Sequence, residues 1–124
     1  MARILLVEDD DSVRAFTARA LGVDGHEVET AEDGEIGLSI LSDEPGGFDL
    51  VLSDIRMPVM DGIALATATA DLVPSMPILM MTGYAEQRER AEPLMRIVVD
   101  VVDKPFTLPQ IRQAVSDALV GKAA

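Results

Sequence analysis

The chain has 124 residues, no cysteine and a formal net charge of −12. Its length fits one domain, and an apolar share of 48% is enough for a buried core. The missing cysteines exclude disulfides and thiolate metal sites. So acidic a chain repels phosphate backbones and anionic membranes, and neither direct nucleic-acid binding nor membrane attachment is expected. The first apolar run, Ile4-Leu5-Leu6-Val7, is far too short for a signal-peptide core or a membrane span, which makes the cytoplasm the expected location.

Short apolar runs alternate with helical patterns along the chain. The first strand is expected at residues 4–7 and is followed at once by Glu8, Asp9, Asp10 and Asp11. Val13, Phe16, Thr17, Ala20 and Leu21 then fall on one helical face. A second strand at 28–31 sits in an alternating stretch, as expected nearer a sheet edge, and His26 before it reads as a surface residue. Ile36, Gly37, Ile40 and Leu41 give the second helix, and Glu44-Pro45-Gly46-Gly47 a loop. The third strand, 50–53, runs into Asp54, and Asp61-Gly62 reads as a turn and cap before a helix carrying Ile63, Ala66, Ala70 and Val73. The fourth strand, 78–81, holds Met80 and Met81 as core residues and leads to Thr82-Gly83. A short polar helix follows at about 86–92, closed by Pro93, and its run Glu86-Gln87-Arg88-Glu89-Arg90 reads as a solvated face. The fifth strand, 97–102, ends before Lys104-Pro105. Leu108, Ile111, Val115, Ala118 and Leu119 mark a last amphipathic helix that Gly121 is expected to close.

This order predicts right-handed crossovers and a five-stranded parallel sheet, doubly wound by five helices, in the order 2-1-3-4-5. Ligands of such sheets bind beyond the carboxyl ends of the strands. The first and third strands are neighbours in that order, so Glu8, Asp9 and Asp54 converge in one crevice. Three carboxylates need a counter-charge. An all-oxygen donor set suits Mg²⁺, with Mn²⁺ as its substitute, and Mg²⁺ plus Lys104 would balance the three negative charges. Asp10 and Asp11 read more simply as a helix cap and a first-turn acid than as ligands.

The set Val7-Glu8-Asp9-Asp10, Ser53-Asp54-Ile55-Arg56-Met57-Pro58 with Met60-Asp61-Gly62, Met81-Thr82-Gly83 and Asp103-Lys104-Pro105-Phe106 resembles a response-regulator receiver domain of the stand-alone, flavodoxin-like kind. The resemblance implies a receiver domain over residues 1–121 with a short tail at 122–124. It implies that Asp54 accepts a phosphoryl group from a phosphohistidine on a histidine kinase or a histidine phosphotransfer protein. Asp9 would ligate Mg²⁺ directly, Glu8 mostly through water, and Arg56 by its backbone carbonyl. Thr82 and Lys104 would hold the phosphoryl oxygens, and the Lys104–Pro105 bond would be cis. The implied output is contact with a downstream protein, the chain being a monomer or a weak dimer through its fourth helix, fifth strand and fifth helix.

Three positions set this chain apart within the resemblance. Many receivers carry an aromatic residue where Val101 stands, so the usual threonine–aromatic coupling is not expected. Tyr84 and Arg56, both bulky, flank the path of hydrolytic water, so self-dephosphorylation should be slow. Four alternatives stay open: a receiver excised from a hybrid histidine kinase, a relay intermediate or phosphate sink, an aspartyl-phosphate hydrolase, and a phosphorylation-independent interaction domain. The hydrolase is disfavoured by Arg56, which stands where such enzymes want a second acid. The interaction domain would not require Glu8, Asp9, Asp54, Thr82 and Lys104 together.

Overall fold

The computed structural model describes residues 2–123. Five strands, β1 (Arg3–Val7), β2 (Glu27–Ala31), β3 (Leu50–Asp54), β4 (Ile78–Thr82) and β5 (Val98–Asp103), alternate with five helices. The helices are α1 (Asp11–Val23), α2 (Gly34–Asp43), α3 (Gly62–Leu72), α4 (Ala85–Ala91) and α5 (Leu108–Ala123). All strand pairings are parallel and the sheet order is β2-β1-β3-β4-β5, as expected from the strand–helix alternation.

The continuous apolar runs conceal a period of two. Successive strand side chains point to opposite faces. Leu5, Val7, Val51 and Met80 enter a core layer with Leu41 of α2, Leu65 of α3 and Ala91 of α4. Ile4, Leu6, Leu52 and Met81 enter the opposite layer with Leu21 of α1 and Ile111 and Val115 of α5. Both faces are therefore covered, which is why the central strands carry no polar alternation. β2 and β5 lie at the edges and are partly exposed.

α1, α2 and α3 start where the acids are. The carboxylates of Asp10, Asp33 and Asp61 accept hydrogen bonds from the N–H groups of Val13, Ile36 and Ala64, at 2.9, 2.9 and 3.0 Å. Each such cap contributes about 1 kcal/mol. Two expectations need correction. α5 runs through Gly121 to Ala123, because a glycine weakens a helix without forbidding it; Ala124 of the expected tail lies outside the described residues. The face 86–90 is more than solvated: Arg88 and Arg90 reach neighbouring elements, as described below.

Val59 has φ 68° and is 75% exposed. A β-branched residue in the left-handed region is strained, and exposure leaves little packing to offset it. Val59→Asn, which tolerates this conformation, is expected to stabilise the fold by about 1 kcal/mol. Urea unfolding measures this; a loss of stability would mean that Val59 makes contacts worth more than its strain.

Candidate functional site

The carboxyl ends of β1, β3, β4 and β5 and the loops after them surround an open cleft of about 630 Å³, lined in part by Glu8, Asp9, Asp54, Arg56, Tyr84 and Lys104. Glu8 follows β1 directly and is fully buried, while Asp9 beside it is exposed. Asp54 is the last residue of β3 and is 7% exposed. Its Oδ1 accepts from the Ile55 N–H at 3.0 Å. The Lys104 ammonium donates to Asp54 Oδ2 at 3.0 Å and to Glu8 Oε1 at 2.5 Å. The other Glu8 oxygen accepts from the Asp10 N–H at 3.2 Å.

Burial raises the Glu8 pKa to about 7 against the opposing Lys104 hydrogen bond, with the nearby Asp54 charge adding to the rise. Burial also raises Asp54, again opposed by Lys104. Burial lowers the Lys104 pKa, but its bonds to Glu8 and Asp54 outweigh this and hold the ammonium charged. One ammonium thus serves two buried carboxylates, and Asp9 adds a third. Glu8, Asp9 and Asp54 each offer an oxygen within 4.8 Å of the others. An oxygen-only cluster short of positive charge fits a hard divalent cation such as Mg²⁺.

Thr82 closes β4 and is 2% exposed. Its hydroxyl accepts from the Tyr84 N–H at 3.1 Å and donates to the Tyr84 carbonyl at 3.3 Å. Its own carbonyl accepts from the Lys104 N–H at 2.8 Å. The Lys104–Pro105 bond is cis. The Arg56 guanidinium lies 5.1 Å from the centre of the Tyr84 ring, a cation–π contact across the cleft. Val101 lies in the core layer beneath α4 and is 5% exposed.

Two further residues, Arg14 and Gly62, support the site. Arg14 donates to the Glu8 carbonyl at 2.9 Å and fixes the loop after β1. The Gly62 N–H donates to the Ile55 carbonyl at 2.7 Å, and a Cβ on Gly62 would stand 2.2 Å from the Asp54 carbonyl oxygen. The glycine read as a turn residue is therefore a spacer that lets α3 begin against the end of β3. Gly62→Ala is expected to cost about 1–3 kcal/mol by overpacking and to displace the Asp54 backbone. Chemical denaturation checks the first and the Asp54 amide shift the second; an unperturbed variant would mean that the contact relaxes freely.

Fold and cleft together define a doubly wound parallel-sheet domain with an acidic, cation-suited site at its carboxyl edge, and sequence comparison supplies the family. The chain belongs to the response regulator receiver domain family, whose profile matches residues 4–116. It is 35% identical over 120 residues to the response regulator receiver protein CpdR of Brucella abortus (strain 2308), a match covering 97% of this chain and 98% of that protein. It is 38% identical over 118 residues to the regulatory protein AtoC of Escherichia coli (strain K12), covering 94% of this chain but only 25% of AtoC. Segments of sensor kinases match as well. Among solved structures, a receiver domain protein of Methanospirillum hungatei JF-1 superposes with a TM-score of 0.89 at 30% identity, covering 99% of this chain and 97% of that one. No described helix is long and apolar enough to cross a membrane.

Proposed function

We propose that Asp54 is the phospho-acceptor of a two-component switch, and that Glu8, Asp9, Asp54 and the Arg56 carbonyl hold the Mg²⁺ the reaction needs. The observation that carries this reading is the Lys104 ammonium, shared between Asp54 and Glu8 in the cleft. The donor is a phosphohistidine on a histidine kinase or phosphotransfer protein. An Asp54 carboxylate oxygen attacks the phosphorus, the N–P bond breaks, and its electron pair returns to the imidazole, which takes up a proton. Bound Mg²⁺ supplies charge neutralisation for the transferred group. Lys104 keeps one contact with the new acyl phosphate, and Thr82 turns its hydroxyl from Tyr84 towards the phosphoryl oxygens. The changed surface is then read by a downstream protein, which responds only as far as its affinity differs between the two states.

Incubation with acetyl phosphate and Mg²⁺ is expected to add one phosphoryl group per chain by intact mass. Asp54→Asn or a chelator should abolish it; labelling that survives Asp54→Asn would place the acceptor elsewhere. Shielding by Tyr84 and Arg56 makes the acyl phosphate slow to hydrolyse. Tyr84→Ala is expected to shorten its lifetime, followed by loss of that mass after donor removal, and an unchanged decay would show that the ring does not screen the phosphorus.

A further inference from the structure

α4 is held in place mainly by polar tethers. It has seven residues, of which Ala91 alone is buried, and no side chain caps its N-terminus. A helix this short has little stability of its own. Three tethers position it. The Thr82 hydroxyl holds the backbone of Tyr84, the residue before the first turn. Arg88 donates to the Val101 carbonyl at 2.7 Å and to the Asp103 carboxylate at 3.0 Å. Arg90 donates to Asp61, the cap of α3, at 2.7 Å.

The Arg88 tether falls on the open edge of the sheet. The Val101 N–H is bonded by the Asp100 carboxylate at 2.8 Å, so both backbone groups of this edge residue are closed by side chains. Asp103 immediately precedes Lys104, whose N–H is bonded to the Thr82 carbonyl. Thr82, Tyr84, α4, Arg88, Asp103 and Lys104 thus form one ring of contacts that passes the Asp54 site at two points.

We propose that Arg88 and Arg90 form a two-point latch that holds α4 in its resting position and opposes the phosphorylated state. The inference rests on the Asp54 acceptor reading. When Thr82 leaves Tyr84, one tether is lost and the α4 N-terminus is released; full displacement of α4 then requires the Arg88 and Arg90 contacts to break as well. The latch adds a polar link between α4 and β5 to the apolar layer that Val101 and Ala91 share. Because the arginines favour the resting state, their removal must favour the other one. Linkage then requires tighter binding of whatever stabilises that state.

The test uses beryllofluoride with Mg²⁺ as the phosphoryl mimic on the full chain, followed by backbone amide shifts. Arg88→Ala and Arg90→Ala are expected to bind it about two- to five-fold more tightly than wild type, the size of effect an exposed ion pair exerts on an equilibrium. Their resting amide shifts at 84–95 should move part of the way towards the wild-type bound positions. Arg88→Lys, which keeps the charge but loses the forked donor, should fall between wild type and Arg88→Ala. A wild type that responds while the variants bind no more tightly overturns the latch and leaves Asp54 as acceptor. A wild type with no Mg²⁺-dependent response overturns both.

Discussion

One ammonium group ties the molecule together at its working end. Lys104 is 96 residues from Glu8 and 50 from Asp54 in sequence, yet it is bonded to both carboxylates. The contact is possible only because the sheet order sets β1 beside β3 and β3 beside β4, with β5 at the edge delivering the lysine across β4. Buried ion pairs contribute little net stability, since desolvation offsets the attraction. This one is better understood as a constraint on the site: it holds two carboxylates close enough that a further positive charge is needed beside the third.

The surroundings keep that constraint in place. Backbone donors from Ile55 and Asp10 hold one oxygen of each carboxylate. Arg14 pins the Glu8 carbonyl, and Gly62 lets α3 press against the end of β3. These elements rest on the central strands of a sheet packed on both faces. The partner of Thr82 is different in kind. Tyr84 is half exposed and precedes a helix with one buried residue. The site therefore joins a fixed acidic half to a weakly held half, the arrangement a two-state switch requires.

Much of this was legible in the sequence. The parallel sheet and its order followed from unbroken apolar runs alternating with helical faces, because strands covered on both sides need no polar period. Glu8, Asp9, Asp54, Thr82 and Lys104 could be placed in one crevice because each lies at or just beyond a strand end. The role of Gly62 was hidden, since a missing Cβ signals a turn equally well. Arg88 and Arg90 were hidden for a different reason: an arginine in a polar helical run has no periodicity to separate a tether from a solvated charge. The run of α5 through Gly121 was missed because glycine lowers helix stability by only about 1 kcal/mol.

We propose that Glu8, Asp9 and Asp54 share one divalent cation that Lys104 alone cannot replace. Calorimetric titration with Mg²⁺ tests it directly, using wild type, Asp9→Asn and Asp54→Asn. One Mg²⁺ per wild-type chain is expected, with clearly weaker binding in both variants. Wild-type protein that takes up no Mg²⁺, or variants that bind it as tightly as wild type, would contradict it.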